Sequence, residues 1–378
     1  MKREAFDDSL ERKAIVAQLQ AAMGCRVITY ICSDRQGGQL AQIAEDVLPV
    51  VYEHLELANS GVGAAKPDVA FYIYSRGGRA DVPWKLVTLF RQMSGRFIVI
   101  VPYRAHSAAT MIAIGADAIH MHPMGELSPI DPALELGSNQ LPVEDVAAYL
   151  RFLRDRAGLS DQGPMSALMV KLTEALGPTL LGRIEREYSH VRLVASKLLA
   201  QQKAPVDPDK ASRIIDALTE KCYVHDHAIR QPEARELGLP AEFLTGESSS
   251  LTWRLYQKYE DALKLTVNPK FLLPPDGASL VENDLPIAFV ESEEMCHAFV
   301  GTCVTRRARE MPPECAISLT VNISEKVAEG LGISKAQVDE IAQRLLPGIQ
   351  QQAARILSEA TLKEKVVTQF AGKWVRLE

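Results

Sequence analysis

Apolar segments alternate with helix-like segments through the first third of this 378-residue sequence. Residues 25–33, 69–75, 96–102 and 117–122 are short and apolar and end at turns, which indicates buried strands. The stretches between them carry apolar residues at helical spacing, and one of these predicted helices starts at Asp81 or Val82, just before Pro83. Strands that alternate with helices in this way form right-handed β-α-β units and a parallel sheet. An α/β fold is expected, with its functional groups on loops at the carboxyl ends of the strands.

The second half of the chain is predicted to be helical first and mixed later. Residues 142–202 are largely helical in pattern, and residues 218–243 combine a short strand or loop, a turn and a helix that Gly238 ends. A further helix is expected over 249–265, followed by a proline-rich linker. The remaining expectations are strands at 285–292 and 315–324, a helical end over 332–367, and a capping box of Ser334 and Gln337.

Composition excludes several broad classes of protein. An apolar fraction of 47% and a formal net charge of −6 describe an ordinary globular chain without the basic surface of a nucleic-acid binder. The charged N-terminus lacks the apolar core of a signal peptide, and no apolar run is long enough to span a bilayer. Six scattered cysteines form neither a disulfide framework nor a zinc pattern. We expect a cytoplasmic protein with no cofactor, no metal and no membrane span.

A serine stands where the third predicted strand gives way to a helix. Ser107 opens the small-residue segment 107–116, so its hydroxyl would lie at a helix N-terminus, where N–H groups favour developing negative charge. The pair Gly77–Gly78 follows the second strand, and its N–H groups, with that of Ala108, are candidates for an oxyanion hole. Packing of small residues or a tight glycine turn would explain each feature taken alone.

The order of these features resembles the ClpP/crotonase superfamily. The segments "VPYRAHSAATMIAIGADAIHMHPMGELSPIDP" and "LTEKCYVHDHAIRQPEARELGLP" are similar to the ClpP-class, SppA-like family of serine dehydrogenase proteinases. The resemblance covers about residues 25–245 and implies the repeated β-β-α superhelix of that superfamily. It divides the chain into an N-terminal helix (1–24), a ClpP/SppA-like protease domain (25–245), a helix with a linker (246–283) and a C-terminal α+β region (284–378).

The resemblance also implies a Ser-Asp-His triad with Ser107 as the nucleophile. The loop in which ClpP carries its histidine has Ile130 here, with Asp131 beside it. The late position, where ClpP has an aspartate, matches "VHDH". Acid and base have then exchanged places, which makes His225 the base and Asp131 the orienting group. The alternatives left open are His227 as the base and Asp226 as the acid.

Other charged residues near the motif have competing interpretations. Arg76 stands where relatives usually have proline, and it alters the loop or binds a substrate carboxylate. His106 precedes the nucleophile directly, and neighbouring residues usually point in different directions, so it is not expected to be the base. SppA-like enzymes can use a Ser–Lys dyad, which makes Lys171 and Lys197 candidates, although a solvated helix face explains both. A metal site of His120, His122 and Glu126 lacks any signature.

These observations predict a serine endopeptidase that hydrolyses peptide bonds through a Ser107 acyl-enzyme. Two other functions use the same fold: a crotonase-like acyl-CoA enzyme, and a catalytically silent scaffold. The expected partners are a protein or peptide substrate, further copies of the chain in a homo-oligomer, and a protein bound through residues 284–378.

Overall fold

The computed structural model describes most of the chain. The described residues are 9–35, 41–61, 63, 65–136, 139–159, 161–221, 227–267, 280–309, 330, 332, 334–359 and 364–377. Two compact units divide it. The first comprises Met1–Pro269, Asp284–Thr302 and Ala371–Glu378, and the second comprises Lys270–Asn283 and Cys303–Phe370.

A twisted sheet of eight strands forms the centre of the fold, in the order β12-β11-β10-β1-β2-β3-β5-β9. Strands β1, β2, β3, β5 and β9 pair in parallel, and β10 joins β1 antiparallel. These strands are β1 (Arg26–Cys32), β2 (Val69–Tyr74), β3 (Phe97–Val101), β5 (Ala118–Met121), β9 (Ala241–Phe243), β10 (Leu280–Glu291), β11 (Cys296–Arg309) and β12 (Glu364–Leu377). Residues of β2 and β3 are buried throughout, as expected for parallel strands covered on both faces.

A second, shorter ladder is formed by segments that directly follow the main strands. These segments provide the second β element of the β-β-α repeat. Strand β3 continues into β4 (Arg104–Ala105), and β5 continues into β6 (Glu126–Leu127), which pairs with β4 in parallel. Isolated bridges extend this ladder on the side of β2, through Ser75 with Ala105 and Gly78 with Ile43. Each repeat therefore supplies one strand to the main sheet and one extended segment to the second ladder. The α/β fold class expected from the sequence is confirmed.

Helices pack against the sheet. Apolar side chains of the helices Ser9–Met23 and Gly246–Ala262 share one core with the sheet. A β-hairpin, β7 (Ala133–Leu136) with β8 (Asn139–Pro142), precedes the helix Val143–Arg151. Two π-helical turns, Phe152–Arg156 and Ala217–Lys221, follow the helices Val143–Arg151 and Pro208–Asp216. The helices are α1 (Ser9–Met23), α2 (Val47–Asn59), α3 (Val82–Met93), α4 (Ala108–Ile114), α5 (Val143–Arg151), α6 (Gln162–Leu176), α7 (Pro178–Ala200), α8 (Pro208–Asp216), α9 (Gln231–Glu236), α10 (Gly246–Ala262) and α11 (Lys335–Glu359).

A fully buried ion pair joins α1 to β10, and we call its surroundings the α1–β10 junction. The Arg12 guanidinium donates to both carboxylate oxygens of Glu291, with Nη2 to Oε1 at 2.7 Å, and both side chains are inaccessible to solvent. Tyr259 donates its hydroxyl to Glu291 at 2.5 Å, and the Cys296 thiol lies 2.8 Å from the other oxygen. Donors from three elements therefore surround one buried carboxylate, which is the condition under which such a charge is tolerated.

A pair of buried histidines extends the junction along α2. His54 Nε2 lies 3.2 Å from His297 Nδ1, and His54 Nδ1 lies 2.9 Å from the Ser292 hydroxyl. Burial, together with the charge of His297, lowers the pKa of His54 to about 3. Burial also lowers the pKa of His297, against the attraction of Glu53. Both imidazoles are therefore neutral in the folded protein at neutral pH.

Several sequence predictions are confirmed and one is wrong. The four early strands and the capping box are present, and α3 begins at Val82, just before Pro83; the Gln337 N–H lies 3.4 Å from the Ser334 hydroxyl. The expected helix through residue 367 is wrong, because α11 ends at Glu359 and β12 begins at Glu364. Hydrogen bonding to sheet partners that are distant in sequence determines that the residues from Glu364 onward form a strand. Strand β11 was not expected, and the predicted strand 315–324 lies outside the described residues.

The domain bounds proposed from the sequence stay a prediction. In the structure, residues 284–302 and 371–378 belong to the first unit, and α11 belongs to the second. Among the described helices, none combines the length and apolar character that crossing a bilayer requires.

Candidate active site

Ser107 lies in a strained turn at the start of α4. Its backbone has φ 49° and ψ −114°, and among the described residues only Ser107 and Lys264 combine a side chain with a positive φ. Such conformations cost about 1–3 kcal/mol and persist only where surrounding contacts impose them. The turn leaves Ser107 half-buried while the seven residues of α4 behind it are buried. The serine is therefore presented at the surface by a fully packed helix.

Side chains would not fit at either glycine of the pair. A Cβ atom on Gly77 would lie 2.7 Å from the Ser107 Cβ and 3.1 Å from its Oγ, and Gly77 has φ 115°. A Cβ atom on Gly78 would lie 2.3 Å from the Ile43 carbonyl oxygen. Gly77 thus lies close to Ser107, and both glycines are required sterically.

The backbone hydrogen bonds around this turn show which N–H groups already donate to an acceptor and which do not. Gly77 donates its N–H to the Ser75 hydroxyl at 3.0 Å, so that donor is occupied. The bridge to Ile43 uses the Gly77 carbonyl and the Arg79 N–H, and leaves the Gly78 N–H outside the pairing. Ala108 is the first residue of α4, where an N–H has no acceptor within the helix. Gly78 and Ala108 therefore carry the N–H groups that remain for a ligand.

Two buried hydroxyls, which the sequence patterns did not indicate, fix the turn. Ser107 donates its N–H to the Ser128 hydroxyl at 2.8 Å, and Ser128 donates its own N–H to Thr110 at 3.0 Å. Thr110 in turn donates its hydroxyl to the Ala105 carbonyl at 2.7 Å. Ser128 lies in the same loop as Ile130 and Asp131, so its position near the predicted acid was the available signal. The chain of bonds connects that loop to the strained serine.

The other proposed triad members fall into two groups. Asp131 is buried three residues after Ser128. Burial raises the pKa of Glu144, and the nearby charge of Asp131 contributes to that rise. His225 and Asp226 lie outside the described residues. His227 is described, and its Nε2 lies 2.9 Å from Glu233 Oε1 on α9.

His106 is buried and belongs to an ion network. Its Nε2 lies 3.2 Å from Glu126 Oε1, and Glu126 also lies 3.5 Å from Arg104 Nε and 3.4 Å from Arg230 Nη2. Burial alone would raise the pKa of Glu126, but the hydrogen bond and charge of His106, with the charges of both arginines, hold it below its ordinary value. The imidazole of His106 therefore faces a carboxylate through one nitrogen.

The same network continues to the oxyanion loop. Asp34, at the end of β1, accepts hydrogen bonds from Arg104 Nη1 at 3.1 Å and from Arg76 Nε at 3.0 Å. The Tyr74 hydroxyl donates to the other Asp34 oxygen at 2.8 Å. We call Arg76, Asp34, Arg104, Glu126 and Arg230 the arginine network. It lies along the carboxyl edge of the parallel sheet.

The remaining candidates have other partners. The Lys197 ammonium lies 5.3 Å from the centre of the Trp84 ring, and Lys171 is exposed on α6. His120 lies 3.9 Å from Glu242, while His122 stacks on Trp253 at 4.9 Å. No group of three metal-ligating side chains occurs in the part of the chain that the structure describes.

Comparison with known proteins returned structural neighbours and one related sequence. No protein-family model matches the chain. An uncharacterised protein of Methanocaldococcus jannaschii is 24% identical over 256 residues, which are 66% of this chain and 79% of that protein. A mutant of the 1510-N membrane-bound stomatin-specific protease matches 62% of this chain and 84% of its own at 16% identity, with a TM-score of 0.36. A ClpP1 mutant from Listeria monocytogenes matches 61% and 98% at 12% identity, with a TM-score of 0.34. The structural neighbours are thus a membrane-bound stomatin-specific protease and a ClpP1 protein.

Proposed function

We propose that the chain is a serine peptidase that cleaves peptide bonds through an acyl-enzyme on Ser107. The observation that carries the proposal is the strained turn of Ser107, held by Ser128 against a glycine loop that leaves no room for a side chain. Packing alone needs neither a positive φ at a serine nor a glycine in contact with its hydroxyl. Nucleophiles are presented in this way at the start of a helix because its N–H groups stabilise an oxyanion.

The proposed reaction has two halves. Ser107 Oγ attacks the scissile carbonyl carbon, His225 accepts the hydroxyl proton, and Asp131 orients the imidazole. His225 then gives that proton to the leaving amine as the peptide C–N bond breaks, which leaves an ester on Ser107. A water molecule attacks this ester, with His225 again as the base, and restores the serine.

The N–H groups of Gly78 and Ala108 are the proposed oxyanion donors. Gly77 was included in the sequence prediction, and we now propose a steric role for it, because its N–H is already donated to Ser75. Each oxyanion donor contributes about 2.7–4 kcal/mol to the transition state of comparable enzymes.

The experiment is labelling with a fluorophosphonate probe, with the adduct located by mass spectrometry. We expect an adduct on Ser107 that disappears in Ser107→Ala and in His225→Ala and that persists in the matched variant His227→Ala. Asp131→Asn should slow the labelling. Loss in His227→Ala with retention in His225→Ala would reassign the base. Failure of the folded wild-type protein to label in every oligomeric state would refute the peptidase proposal.

Assembly and location remain part of the proposal. We propose a homo-oligomer acting on peptides in the cytoplasm, with residues 284–378 available to a protein partner. Gel filtration with light scattering, at several protein concentrations, tests the oligomeric state.

A further inference from the structure

Arg76, the residue before Gly77, presents an incompletely used guanidinium. Its Nε donates to Asp34 at 3.0 Å, and 41% of the side chain is exposed. Both terminal nitrogens, Nη1 and Nη2, have no acceptor in the described part of the chain. A guanidinium with one nitrogen fixed and two free is oriented for a planar, bidentate acceptor.

Asp34 positions Arg76 without neutralising it. The carboxylate, whose side chain is only 7% exposed, also accepts from Arg104 and from the Tyr74 hydroxyl. One negative charge is therefore shared by two arginines. Across the arginine network, three guanidinium groups face two carboxylates, Asp34 and Glu126. The network carries a surplus positive charge before His106 is counted.

The position of Arg76 in the chain places this surplus positive charge close to the proposed active site. Arg76 directly precedes Gly77, and a Cβ atom at Gly77 would meet Ser107 at 2.7 Å. A residue of extended peptide spans about 3.3 Å. An anionic group bound to Arg76 is therefore expected within a few residues of a bond that Ser107 attacks.

We propose that Arg76 forms a carboxylate-binding subsite, which selects peptides with a carboxylate near the scissile bond. The subsite deepens the proposed peptidase function and rests on it for its catalytic meaning. The carboxylate is supplied by an Asp or Glu side chain or by the free C-terminus of the substrate. Arg104 and Arg230 strengthen the local positive potential, while Arg76 makes the direct contact.

A binding experiment separates this subsite from hydrolysis. Ser107→Ala protein is titrated with fluorescent hexapeptides in which each position in turn carries Asp or its neutral counterpart Asn. Each peptide is made with a free and with an amidated C-terminus, which distinguishes the two carboxylate sources. Arg76→Gln is added to the same background. Arg79→Gln is the matched control, because Arg79 lies in the same loop, is 61% exposed and pairs with Asp81.

We expect at least one carboxylate-bearing peptide to bind about tenfold or more tightly than its neutral counterpart. Arg76→Gln should remove that preference, Arg79→Gln should keep it, and Arg76→Lys should keep only part of it because lysine lacks the planar fork. Equal weakening of acidic and neutral peptides in folded Arg76→Gln would assign Arg76 a purely structural role. Absence of any carboxylate preference, or its survival in Arg76→Gln, would also overturn the inference.

The carboxylate subsite and the peptidase activity can be refuted independently of each other. A carboxylate preference that depends on Arg76, found in a protein whose Ser107 never labels, would leave the subsite standing and refute the peptidase. Labelling at Ser107 without any carboxylate preference would refute only the subsite.

Discussion

Two ionic networks flank β1, and they differ in how their charges are satisfied. In the α1–β10 junction, Arg12 and Glu291 are both inaccessible, and donors from Tyr259 and Cys296 complete the carboxylate shell. In the arginine network, the two carboxylate side chains are almost fully buried, but the Arg76 side chain is partly exposed, and its terminal nitrogens have no acceptor among the described residues.

The comparison distinguishes charged side chains that join structural elements from charged side chains that are able to bind a ligand. A fully buried ion pair holds two elements in one arrangement. Removing one partner is costly because the remaining charge is buried without a counter-charge. A network with exposed, oriented donors contributes little to stability, because water screens it. Such donors can still bind an anion strongly when a substrate excludes that water.

The largest effect is expected where the sealed junction is broken on one side. Arg12→Met leaves the Glu291 charge buried without its cation, so the free energy of unfolding should fall by about 3–5 kcal/mol. Chemical denaturation followed by circular dichroism measures this change. The double variant Arg12→Met, Glu291→Met should recover most of the loss. A single variant as stable as the wild type would show that the pair does not hold the junction.

The next largest effect is expected at the candidate active site. Gly77→Ala places a methyl group against the Ser107 Cβ and demands a φ that alanine rarely adopts. We expect the rate of fluorophosphonate labelling to fall about a hundredfold, because small displacements of a nucleophile have effects of this size. Gly63→Ala is the control, since no atom lies within 4 Å of a Cβ there. Unchanged labelling in Gly77→Ala would contradict the close approach.

Acid should weaken the junction through His54. With a folded pKa of about 3, against 6.5 for an ordinary histidine, His54 stays neutral while the unfolded chain takes up a proton. Above pH 6.5 the contribution is constant. Below it, the free energy of unfolding should fall by about 1.4 kcal/mol per pH unit until the folded pKa is reached.

The measurement compares unfolding free energies of wild type and His54→Asn between pH 7 and pH 4. The variant should show a shallower decline than the wild type, because asparagine takes up no proton in the unfolded chain. Parallel curves for wild type and His54→Asn would show that His54 is not the group responsible.

The smallest effects are expected when one of two buried hydroxyls, that of Ser128 or that of Ser94, is removed. Ser128→Ala removes the acceptor of the Ser107 N–H and should slow labelling about tenfold while costing about 1 kcal/mol of stability. Ser94→Ala removes a hydroxyl that donates to the Phe90 carbonyl at 2.6 Å and should lower stability by a similar amount. Its labelling rate should not change. Equal labelling rates in the two variants would mean that Ser128 does not position the nucleophile.

Local patterns were sufficient for the first half of the fold. Strands β1, β2, β3 and β5 are mostly apolar, a composition typical of buried parallel strands, and α3 starts at Val82, directly before Pro83. The end of the chain was not predictable in the same way. Whether residues 364–377 continue a helix or form β12 depends on sheet partners far away in the sequence.

For the site, the sequence by itself determined the residue types and their order: a glycine pair after one strand, and a serine before a helix of small residues after the next. Tertiary structure alone decided which atoms meet. It assigned the Gly77 N–H to Ser75, brought Ser128 to the Ser107 amide, and set no acceptor from the described residues at the terminal nitrogens of Arg76. The physical reason is that periodicity along one chain reports which residues are buried. Hydrogen bonds and ion pairs depend on side-chain directions and on distances of a few tenths of an ångström between segments, and only the packed fold sets these.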